Sequence, residues 1–196
     1  GLRVSDGKTI RYIEEALLEL NLEILNELKS KNTNVCSISP KENNVINIIP
    51  ESEELGYVGK PKKINKEKIL NFINNKQIPI VVPLGLGDDG RIYNINADVA
   101  AGSIAKEINA RRLLLMTDVD GVLDENQKLI SEINLNKANE MLKNNIISGG
   151  MIPKINTCLD AISNGVRGVV IVDGRKPHSI LFELFSDKGA GTLIRK

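Results

Sequence analysis

The sequence predicts an α/β protein, a three-layer αβα sandwich with a mainly parallel central sheet. Two observations support this fold class. Continuous apolar runs such as LLLMT (113–117) and RGVVIVDG (167–174) are typical of strands that are buried on both faces. These runs alternate with segments of helical spacing and length. Because parallel strands are joined by crossovers that usually contain a helix, the alternation favours a sheet covered on both faces.

The N-terminal part of the chain is predicted to begin with a long helix. Apolar residues recur at helical spacing from Ile10 to Leu28, which predicts one long helix or two abutting ones. The polar segment 51–65 is predicted to be a loop that could form a flap. The other elements predicted in this part are strands at 35–38, 45–49 and 78–85, a helix over about 66–75 and a turn at 87–90.

Strands and helices alternate regularly after that turn. The pattern predicts strands at 113–117 and 167–174, and helices at 97–110, 136–145, 151–165 and 178–187. In open α/β sheets, ligands bind outside the carboxyl ends of the strands, where loops enter helix N-termini. This rule selects the loops NINAD (94–98), TDVDG (117–121), ISGG (147–150) and VDGRKPH (172–178).

The composition excludes several functional classes. The chain has 196 residues, 41% of them hydrophobic, and a formal charge of +1, so it can bury a core but has no general field for nucleic acid or an acidic membrane. Cys36 and Cys158 are isolated, which favours neither a disulfide scaffold nor a zinc site. No apolar run is long enough to span a bilayer and no signal peptide is recognisable, so we expect a cytoplasmic location, or a plastid stroma if the protein is organellar.

The stretch LLLMTDVDGVLDEN (113–126) raises the hypothesis of a phosphatase. Two aspartates after a buried strand resemble the nucleophile motif of haloacid-dehalogenase phosphatases. That chemistry also needs a downstream acidic pair such as G-D-x-x-x-D for Mg²⁺, which the sequence lacks. Aspartate before glycine is also ordinary turn chemistry. We therefore expect a binding role for this loop, and we expect Asp120→Ser to leave turnover nearly intact.

Two other loops carry groups that suit anionic ligands. In ISGGMIPK (147–154), two glycines before a helix leave backbone N–H groups free to approach phosphate oxygens, and Lys154 lies one turn into the helix. A tight turn with a solvated lysine is the alternative. In NINAD, Asn94, Asn96 and Asp98 alternate toward a helix start, so all three side chains could face one cleft. Capping of the helix by Asp98 is the alternative for that residue.

Taken together, seven blocks of the sequence resemble the acetylglutamate kinases of the amino acid kinase family. They occur in the family's order and spacing, and the resemblance covers the chain from residue 1 to residue 196. The blocks are GLRVSD, ELGYVG, IPIVVPLGLGDDG, YNINADVAAGSIA, LLLMTDVDGVLD, ISGGMIPK and VDGRKPHSILFELFSDKGAGTLI. The resemblance implies the amino acid kinase fold and transfer of a phosphoryl group from MgATP to the γ-carboxylate of N-acetyl-L-glutamate, in arginine biosynthesis. No other cofactor and no protein metal site are implied.

The resemblance also implies roles for individual residues. Lys154 would neutralise phosphate charge in the transition state, and Asp98 would orient the lysines around the transferred group. Residues expected to bind acetylglutamate are Leu2, Arg3, Asn94 and Asn96. Residues expected to bind ATP are Asp118, Gly121, Val122, Leu123, Ile146, Ile147, Ser148, Gly149 and Gly150.

The sequence departs from the family pattern at its N-terminal side. A K-Y-G-G strand with its lysine and an H-G-G-G-P loop are absent from the 196 residues, and the chain opens on Gly1. We therefore expect a kinase domain that lacks its N-terminal strands. Residues 1–90 would form an acetylglutamate-binding and dimerisation lobe, and residues 91–196 an ATP-binding lobe. This chain alone is expected to have little or no activity, although the full protein would be active.

The C-terminal block resembles the arginine-inhibited members of the family. His178 and Glu183 are candidates for the site of feedback inhibition by arginine, although a histidine after a proline is often only the start of a helix. A homodimer is expected, and a hexamer in the full-length protein. A nitrogen-signalling protein is a possible partner, as in some relatives. Two other functions stay open: another amino acid kinase with a different acceptor, and a catalytically silent module that binds a nucleotide or arginine.

Overall fold

The computed structural model describes residues 4–187 and 189–196. The chain forms two compact units, Gly1–Ile108 and Asn109–Lys196. The predicted α/β class is confirmed, because both units combine helices with mixed, partly parallel sheets. Among the helices described, none has the length and apolarity needed to cross a membrane.

The first unit extends to Ile108, beyond the predicted boundary near residue 90, because the strand and the helix that follow this position belong to it. Its helices are α1 (Thr9–Ser30), α2 (Lys66–Asn74) and α3 (Ala97–Glu107), with one short 3₁₀ turn (Glu53–Leu55). Its strands are β1 (Val35–Ile38), β2 (Ile46–Pro50), β3 (Gly59–Ile64), β4 (Ile78–Val81), β5 (Leu84–Gly87) and β6 (Ile92–Asn94).

The single strand predicted at 78–85 is two strands in different sheets. β4 pairs in parallel with β1, whereas β5 pairs in parallel with β2 and antiparallel with β6. Pro83 separates them, and a proline cannot donate a backbone hydrogen bond to a sheet. The described strands of this unit therefore form a two-stranded sheet and a four-stranded sheet of order β3-β2-β5-β6.

The segment 51–65, predicted to be a loop, contains the edge strand β3. Its sequence GKPKKI pairs antiparallel with β2, with an irregularity between Asn47 and Ile48. Only Gly59 and Ile64 of this strand are buried. Lysines and a proline are common on edge strands, where they hinder pairing with other chains. Because the same residues interrupt the alternation of apolar and polar positions, the sequence pattern does not predict a strand here.

The second unit contains the strands predicted at 113–117 and 167–174 and two that were not predicted. Its strands are β7 (Leu113–Thr117), β8 (Glu132–Asn134), β9 (Val169–Asp173) and β10 (Gly191–Arg195). Its helices are α4 (Leu135–Lys143), α5 (Met151–Ser163) and α6 (Ser179–Phe185). All five residues of β9 are buried, as expected for a strand covered on both faces.

Strand β10 lies inside the sheet of the second unit. The strand order is β7-β9-β10-β8, and β10 runs antiparallel to β9 but parallel to β8. Gly191 begins β10, and a Cβ atom at this position would lie only 1.9 Å from the carbonyl oxygen of Ile171. Only glycine therefore allows β10 to approach β9 this closely.

Asparagine residues define many of the helix ends. Their side chains accept backbone N–H groups at the N-termini of α2, α3 and α4, through Asn65, Asn96 and Asn134. Other asparagines adopt positive φ just beyond the C-termini of α1, α3 and α4, namely Asn32, Asn109 and Asn145. Both uses follow from the short polar side chain of asparagine.

Candidate functional site

The first unit contains a cavity of about 500 Å³ beside the loop NINAD. Its polar lining comes from Ser5, Thr9, Asn94 and Asn96, and its apolar lining is mainly from α1 and neighbouring strand ends. The lining residues are Val4, Ser5, Thr9, Ile13, Ala16, Leu17, Val58, Pro83, Asn94, Ile95, Asn96 and Ala97. A pocket with a few polar groups on an apolar wall is typical of a small-molecule site.

The two asparagines of this loop have different tasks. Asn94 ends β6, where its backbone N–H donates to the carbonyl of Tyr57 at 2.9 Å, and this bond fixes its position at the cavity. Asn96 is the N-cap of α3, because its Oδ1 accepts the N–H of Val99 at 3.2 Å. The amide oxygen of Asn96 is therefore occupied by the helix cap, and its NH₂ group carries the donors of the side chain.

Asp98 is not the helix cap, contrary to the alternative considered for it. It lies in the first turn of α3, where a negative charge is favoured by the helix dipole. Because Asn96 supplies the cap, capping does not explain the aspartate. Asp98 is not among the residues that line the cavity beside Asn94.

The second unit contains a cavity of about 280 Å³ between the loop after β7 and the loop before α5. Six residues predicted to bind ATP line it, namely Gly121, Val122, Leu123, Ile146, Ile147 and Ser148. Val119, Asp124, Gln127 and Met151 complete the lining. Two segments separated in sequence are thus brought together, and the predicted residues Asp118, Gly149 and Gly150 lie outside this set.

The loop after β7 is held by Thr192 of β10. The backbone N–H of Val122 donates to Thr192 Oγ1 at 2.9 Å, and this hydroxyl donates to the carbonyl of Ile130 at 2.7 Å. Gly121 has φ of 143°, and a Cβ atom there would lie 2.7 Å from Thr192 Oγ1. The loop therefore requires a glycine at position 121 for both its conformation and its space.

The start of α5 has the features expected of an anion site. Gly149 has φ of 56°, and a Cβ atom on Gly149 or Gly150 would have no heavy atom of another described residue within 4 Å. The N–H groups of Met151 and Ile152 donate to the carbonyls of Ser148 and Gly149 at 3.2 Å, so these two donors are used within the turn and are not free as the sequence predicted. Lys154 follows in the first turn and is half-buried. Open space, glycine backbone and a lysine together suit phosphate oxygens.

Ion pairs lie in and between the loops that follow β7 and β9, which are neighbouring parallel strands. The carboxylate of Asp173 is buried and accepts Arg175 Nε at 2.9 Å, Arg175 Nη2 at 3.0 Å and the Arg175 backbone N–H at 3.0 Å. These bonds from Arg175 hold the pKa of Asp173 well below its usual range. Lys176 Nζ pairs with Asp120, so this one ion pair joins the loop after β9 to the loop that lines the cavity.

The residues predicted for arginine binding are placed differently. Glu183 is buried on α6 and lines a polar cavity of about 240 Å³ with Arg112, Ser131, Glu132, Ser186, Asp187, Gly189, Gly191 and Leu193. Its Oε2 accepts the N–H of Ala190 at 2.9 Å, and its Oε1 lies 3.6 Å from Arg112 Nη1. His178 precedes α6 with φ of 59° and is not among the lining residues.

Two of the predicted substrate-binding residues, Leu2 and Arg3, lie outside the described residues. Over residues 4–187 and 189–196, no cluster of three or more His, Cys, Asp or Glu side chains could hold a metal ion.

Comparison with known proteins assigns the family. The model of the amino acid kinase family matches residues 3–173 of the chain. The chain is also 54% identical over 196 residues to the acetylglutamate kinase of Pelagibacter ubique, and the match covers the whole chain and 68% of that relative. The chain belongs to the amino acid kinase family.

Other relatives support the same assignment. The acetylglutamate kinase of Clostridioides difficile is 45% identical over 201 aligned residues, which cover all of this chain and 70% of the relative. A crystal structure of a Streptococcus mutans protein superimposes with a TM-score of 0.85 and 31% identity, over all of this chain and 75% of that one.

Several residues at these sites were not identified from the sequence. Thr192 and Ser5 lie in blocks that resemble the kinase family, but no role was predicted for either, because their contacts join segments that are far apart in the sequence. Asp173 and Arg175 lie in the loop VDGRKPH, which was selected by its place after a strand. The pattern D-x-R there is the signal that could have predicted their pairing.

Proposed function

We propose that the protein transfers the γ-phosphoryl group of ATP to the γ-carboxylate of N-acetyl-L-glutamate, as a step of arginine biosynthesis. The observation that carries this proposal is the match of the whole chain to acetylglutamate kinases at 54% and 45% identity. A carboxylate oxygen of the acceptor attacks the γ-phosphorus, the bond between this phosphorus and the bridging oxygen breaks, and the products are an acyl phosphate and ADP.

The acceptor is assigned to the cavity of the first unit. The amides of Asn94 and Asn96 suit the carboxylate and acylamino groups of acetylglutamate, because an amide side chain both donates and accepts hydrogen bonds. The apolar wall formed by Ile13, Ala16 and Leu17 of α1 suits the aliphatic parts of the ligand. An apolar wall with a few polar groups is typical of a small-molecule site.

ATP is assigned to the cavity of the second unit. Val122, Leu123, Ile146 and Ile147 give this cavity apolar surface for a base, and Gly149 and Gly150 leave backbone open beside it. Asp118 follows β7 at the carboxyl end of the sheet, where nucleotides bind in open α/β folds. In this role Asp118 is a hydrogen-bond acceptor, not a nucleophile.

Charge neutralisation is assigned to Lys154, with Asp98 as the group that orients lysines around the reacting phosphoryl. Phosphoryl transfer is catalysed mainly by positioning and by stabilising the charge on the phosphoryl oxygens. Lys154 is suited to this task because it lies in the first turn of α5, next to the two glycines. Mg²⁺ enters with ATP as part of the co-substrate.

The decisive experiment is a substrate panel with the chain as its gene encodes it. The assay measures ADP release with N-acetyl-L-glutamate, L-glutamate, L-aspartate and carbamate as acceptors. Turnover with acetylglutamate at a kcat/KM at least tenfold above the others is expected. Preference for another acceptor would identify a different amino acid kinase, and ATP binding without any turnover would identify a silent module.

The 196 residues by themselves are proposed to have little or no kinase activity. The K-Y-G-G and H-G-G-G-P motifs, which supply a lysine and backbone donors in acetylglutamate kinases, are absent from the sequence. The loss of one such donor typically lowers kcat by a factor of about 100 to 1,000. Turnover by residues 1–196 within tenfold of that of the chain as encoded would contradict this proposal.

Arginine is proposed as a feedback inhibitor that binds in the cavity around Glu183. Three carboxylates line this cavity, from Glu132, Glu183 and Asp187, and carboxylates are the natural partners of a guanidinium group. Glu183→Gln is expected to raise the arginine concentration needed for half-inhibition, with His178→Ala measured in parallel. Equal inhibition of the wild type and Glu183→Gln by arginine would reject this site.

A homodimer that forms through the first unit is also proposed, with a hexamer in the full-length protein. Tyr12 and Leu20 of α1 are 60% and 50% exposed, and large apolar side chains on an exposed helix are surface that an interface would bury. Leu20→Lys is expected to lower the mass measured by light scattering. We also propose that the protein is located in the cytoplasm or in a plastid stroma. A nitrogen-signalling protein is proposed to dock on it.

A further inference from the structure

Ser5 is fixed by its backbone on both sides. Its N–H donates to the carbonyl of Leu55 at 3.0 Å, and its carbonyl accepts the N–H of Tyr57 at 2.7 Å. Gly56, between these two partners, has φ of 65°, and a Cβ atom there would lie 2.4 Å from the Ser5 carbonyl oxygen. The position of the Ser5 backbone is therefore determined by the turn at 55–57 and does not depend on the Ser5 side chain.

The hydroxyl of Ser5 is buried without a hydrogen-bond partner. The residue is 0% exposed, and its Oγ has no donor or acceptor within reach among the residues that the structure describes. Most buried side-chain hydroxyls in folded proteins have a partner, because an unpaired polar atom loses its hydration without compensation. Within the described residues, the backbone that fixes Ser5 leaves its hydroxyl without a partner, so a ligand in contact with it would supply one.

Ser5 lines the same cavity as Asn94 and Asn96. The cavity has a volume of about 500 Å³, which is enough for a small acylated amino acid. Asn94 and Ser5 lie on segments that pair with opposite ends of the stretch 56–58, since Ser5 forms a bridge with Gly56 and Asn94 forms one with Val58. One short stretch of backbone therefore sets both polar groups at the cavity.

We propose that Ser5 is a binding residue, and that its Oγ donates a hydrogen bond to an oxygen of the bound N-acyl amino acid. This inference rests on the proposed function. Both the carboxylate and the acyl carbonyl of such a ligand present oxygens that accept from a hydroxyl. In the free protein the hydroxyl only costs stability, whereas in the complex it contributes to affinity.

Ser37 provides the matched control in the same unit. It lies on β1, half-buried, and its Oγ donates to Asn21 Oδ1 at 2.7 Å, so its hydroxyl has a partner within the protein. Ser37 is not among the residues that line the cavity. Removal of the Ser5 hydroxyl should therefore change the affinity for the ligand, whereas removal of the Ser37 hydroxyl should change the stability of the protein.

The experiment compares Ser5→Ala, Ser5→Cys and Ser37→Ala in the chain as its gene encodes it. For Ser5→Ala we expect KM for N-acetyl-L-glutamate to rise roughly tenfold, which corresponds to one lost hydrogen bond, while KM for ATP stays the same. Its melting temperature should stay equal or rise. Ser5→Cys, with a weak donor of similar size, should show an intermediate KM. Ser37→Ala should lower the melting temperature and leave KM unchanged.

Two results would overturn the assignment of Ser5. The first is a Ser5→Ala variant with unchanged KM for acetylglutamate beside an active wild type. The second is a fall in melting temperature with no loss of affinity in calorimetric titration, since this would mean that the hydroxyl serves the free protein. A wild type without acetylglutamate-dependent turnover would instead reject the proposed function, so the two failures are distinguishable.

Discussion

The two units prepare their binding groups by different physical means. In the first unit the groups at the cavity are uncharged, and backbone hydrogen bonds fix them: Asn94 through Tyr57, and Ser5 through Leu55 and Tyr57. In the second unit the loops depend on glycine conformations and on ion pairs such as Asp173 with Arg175. Ion pairs respond to pH and salt, whereas backbone hydrogen bonds between neutral groups do not. The second unit should therefore be the more sensitive of the two to charge, pH and glycine replacement.

The largest effect is expected for the cation of the second unit. Lys154→Met should lower kcat roughly 100- to 1,000-fold with a small change in KM, because a charge used in the transition state is lost. Asn94→Ala in the first unit should mainly raise KM for acetylglutamate. Steady-state kinetics of both variants separates these outcomes, with Lys143→Met, an exposed lysine of α4, as the control. A larger fall of kcat in Asn94→Ala than in Lys154→Met would reverse the comparison.

Replacement of Gly121 tests how far the second unit depends on glycine. Gly121→Ala should destabilise the protein by roughly 2–4 kcal/mol, because alanine disfavours φ of 143° and its methyl group would press on Thr192 Oγ1. Gly150→Ala is the matched control for stability, since Gly150 has φ of −65° and open space around it. Urea denaturation measures both variants. Equal midpoints would show that the loop after β7 is not constrained at Gly121.

The pair of Asp173 and Arg175 should make stability depend on pH. The pKa of Asp173 is lowered in the folded protein, so its stabilising effect is complete above the ordinary carboxyl pKa of about 3.9 and is lost as the pH falls toward the lowered value. Asp173→Asn should therefore lower the melting temperature at pH 7, with a difference that shrinks below about pH 4.

Asp89 of the first unit is the control for this pH dependence. The backbone N–H of Arg91 and, less strongly, the hydroxyl of Tyr93 lower its pKa, but its side chain is 42% exposed. Asp89→Asn should give the same sign with a smaller change, because solvent screens an exposed carboxylate. An effect of Asp89→Asn as large as that of Asp173→Asn would remove the distinction between the two units.

The smallest effect is expected for the ion pair between Asp120 and Lys176. Their side chains are 49% and 54% exposed, and pairs of this kind contribute about 1 kcal/mol or less. Asp120→Ser should change kcat less than about threefold, and high salt should reduce the difference in stability from the wild type. A phosphatase nucleophile would not tolerate this replacement, so complete loss of turnover would revive the hypothesis raised by the motif D-x-D-G.

The sequence predicted the parts of the fold that depend on local pattern. The strands LLLMT and VVIVD and the helix over 151–165 are long or strongly apolar, so the type of each element is visible in the residues themselves. The predicted burial on both faces holds for β9 but not for β7, where only Leu115 is buried because the strand lies at the edge of the sheet. Strand β3 has lysines at three of its six positions and a proline, and β8 has three residues, so neither carries enough pattern to be recognised. Pro83 was included in one strand although it divides two.

The candidate sites were predictable to the extent that they consist of motifs. Gly121, Val122 and Ile147 belong to two blocks that the structure brings to one cavity, and Asn94 lines another. Ser5 could not be identified, because its importance comes from a missing partner, which only a three-dimensional environment reveals. Thr192 could not be identified either, because the loop that it holds is 70 residues away in the sequence.

The position of β10 between β9 and β8 has a consequence for synthesis on the ribosome. Strands β7 and β9 are adjacent in the sheet and can pair once residue 173 has emerged, but β8, at Glu132–Asn134, must wait for Leu193–Arg195. Pairing over such a separation is slow, and the waiting edge of β9 is exposed meanwhile. The nascent second unit should therefore depend on chaperones until β10 closes its sheet, whereas the first unit can fold while the rest of the chain is still being made.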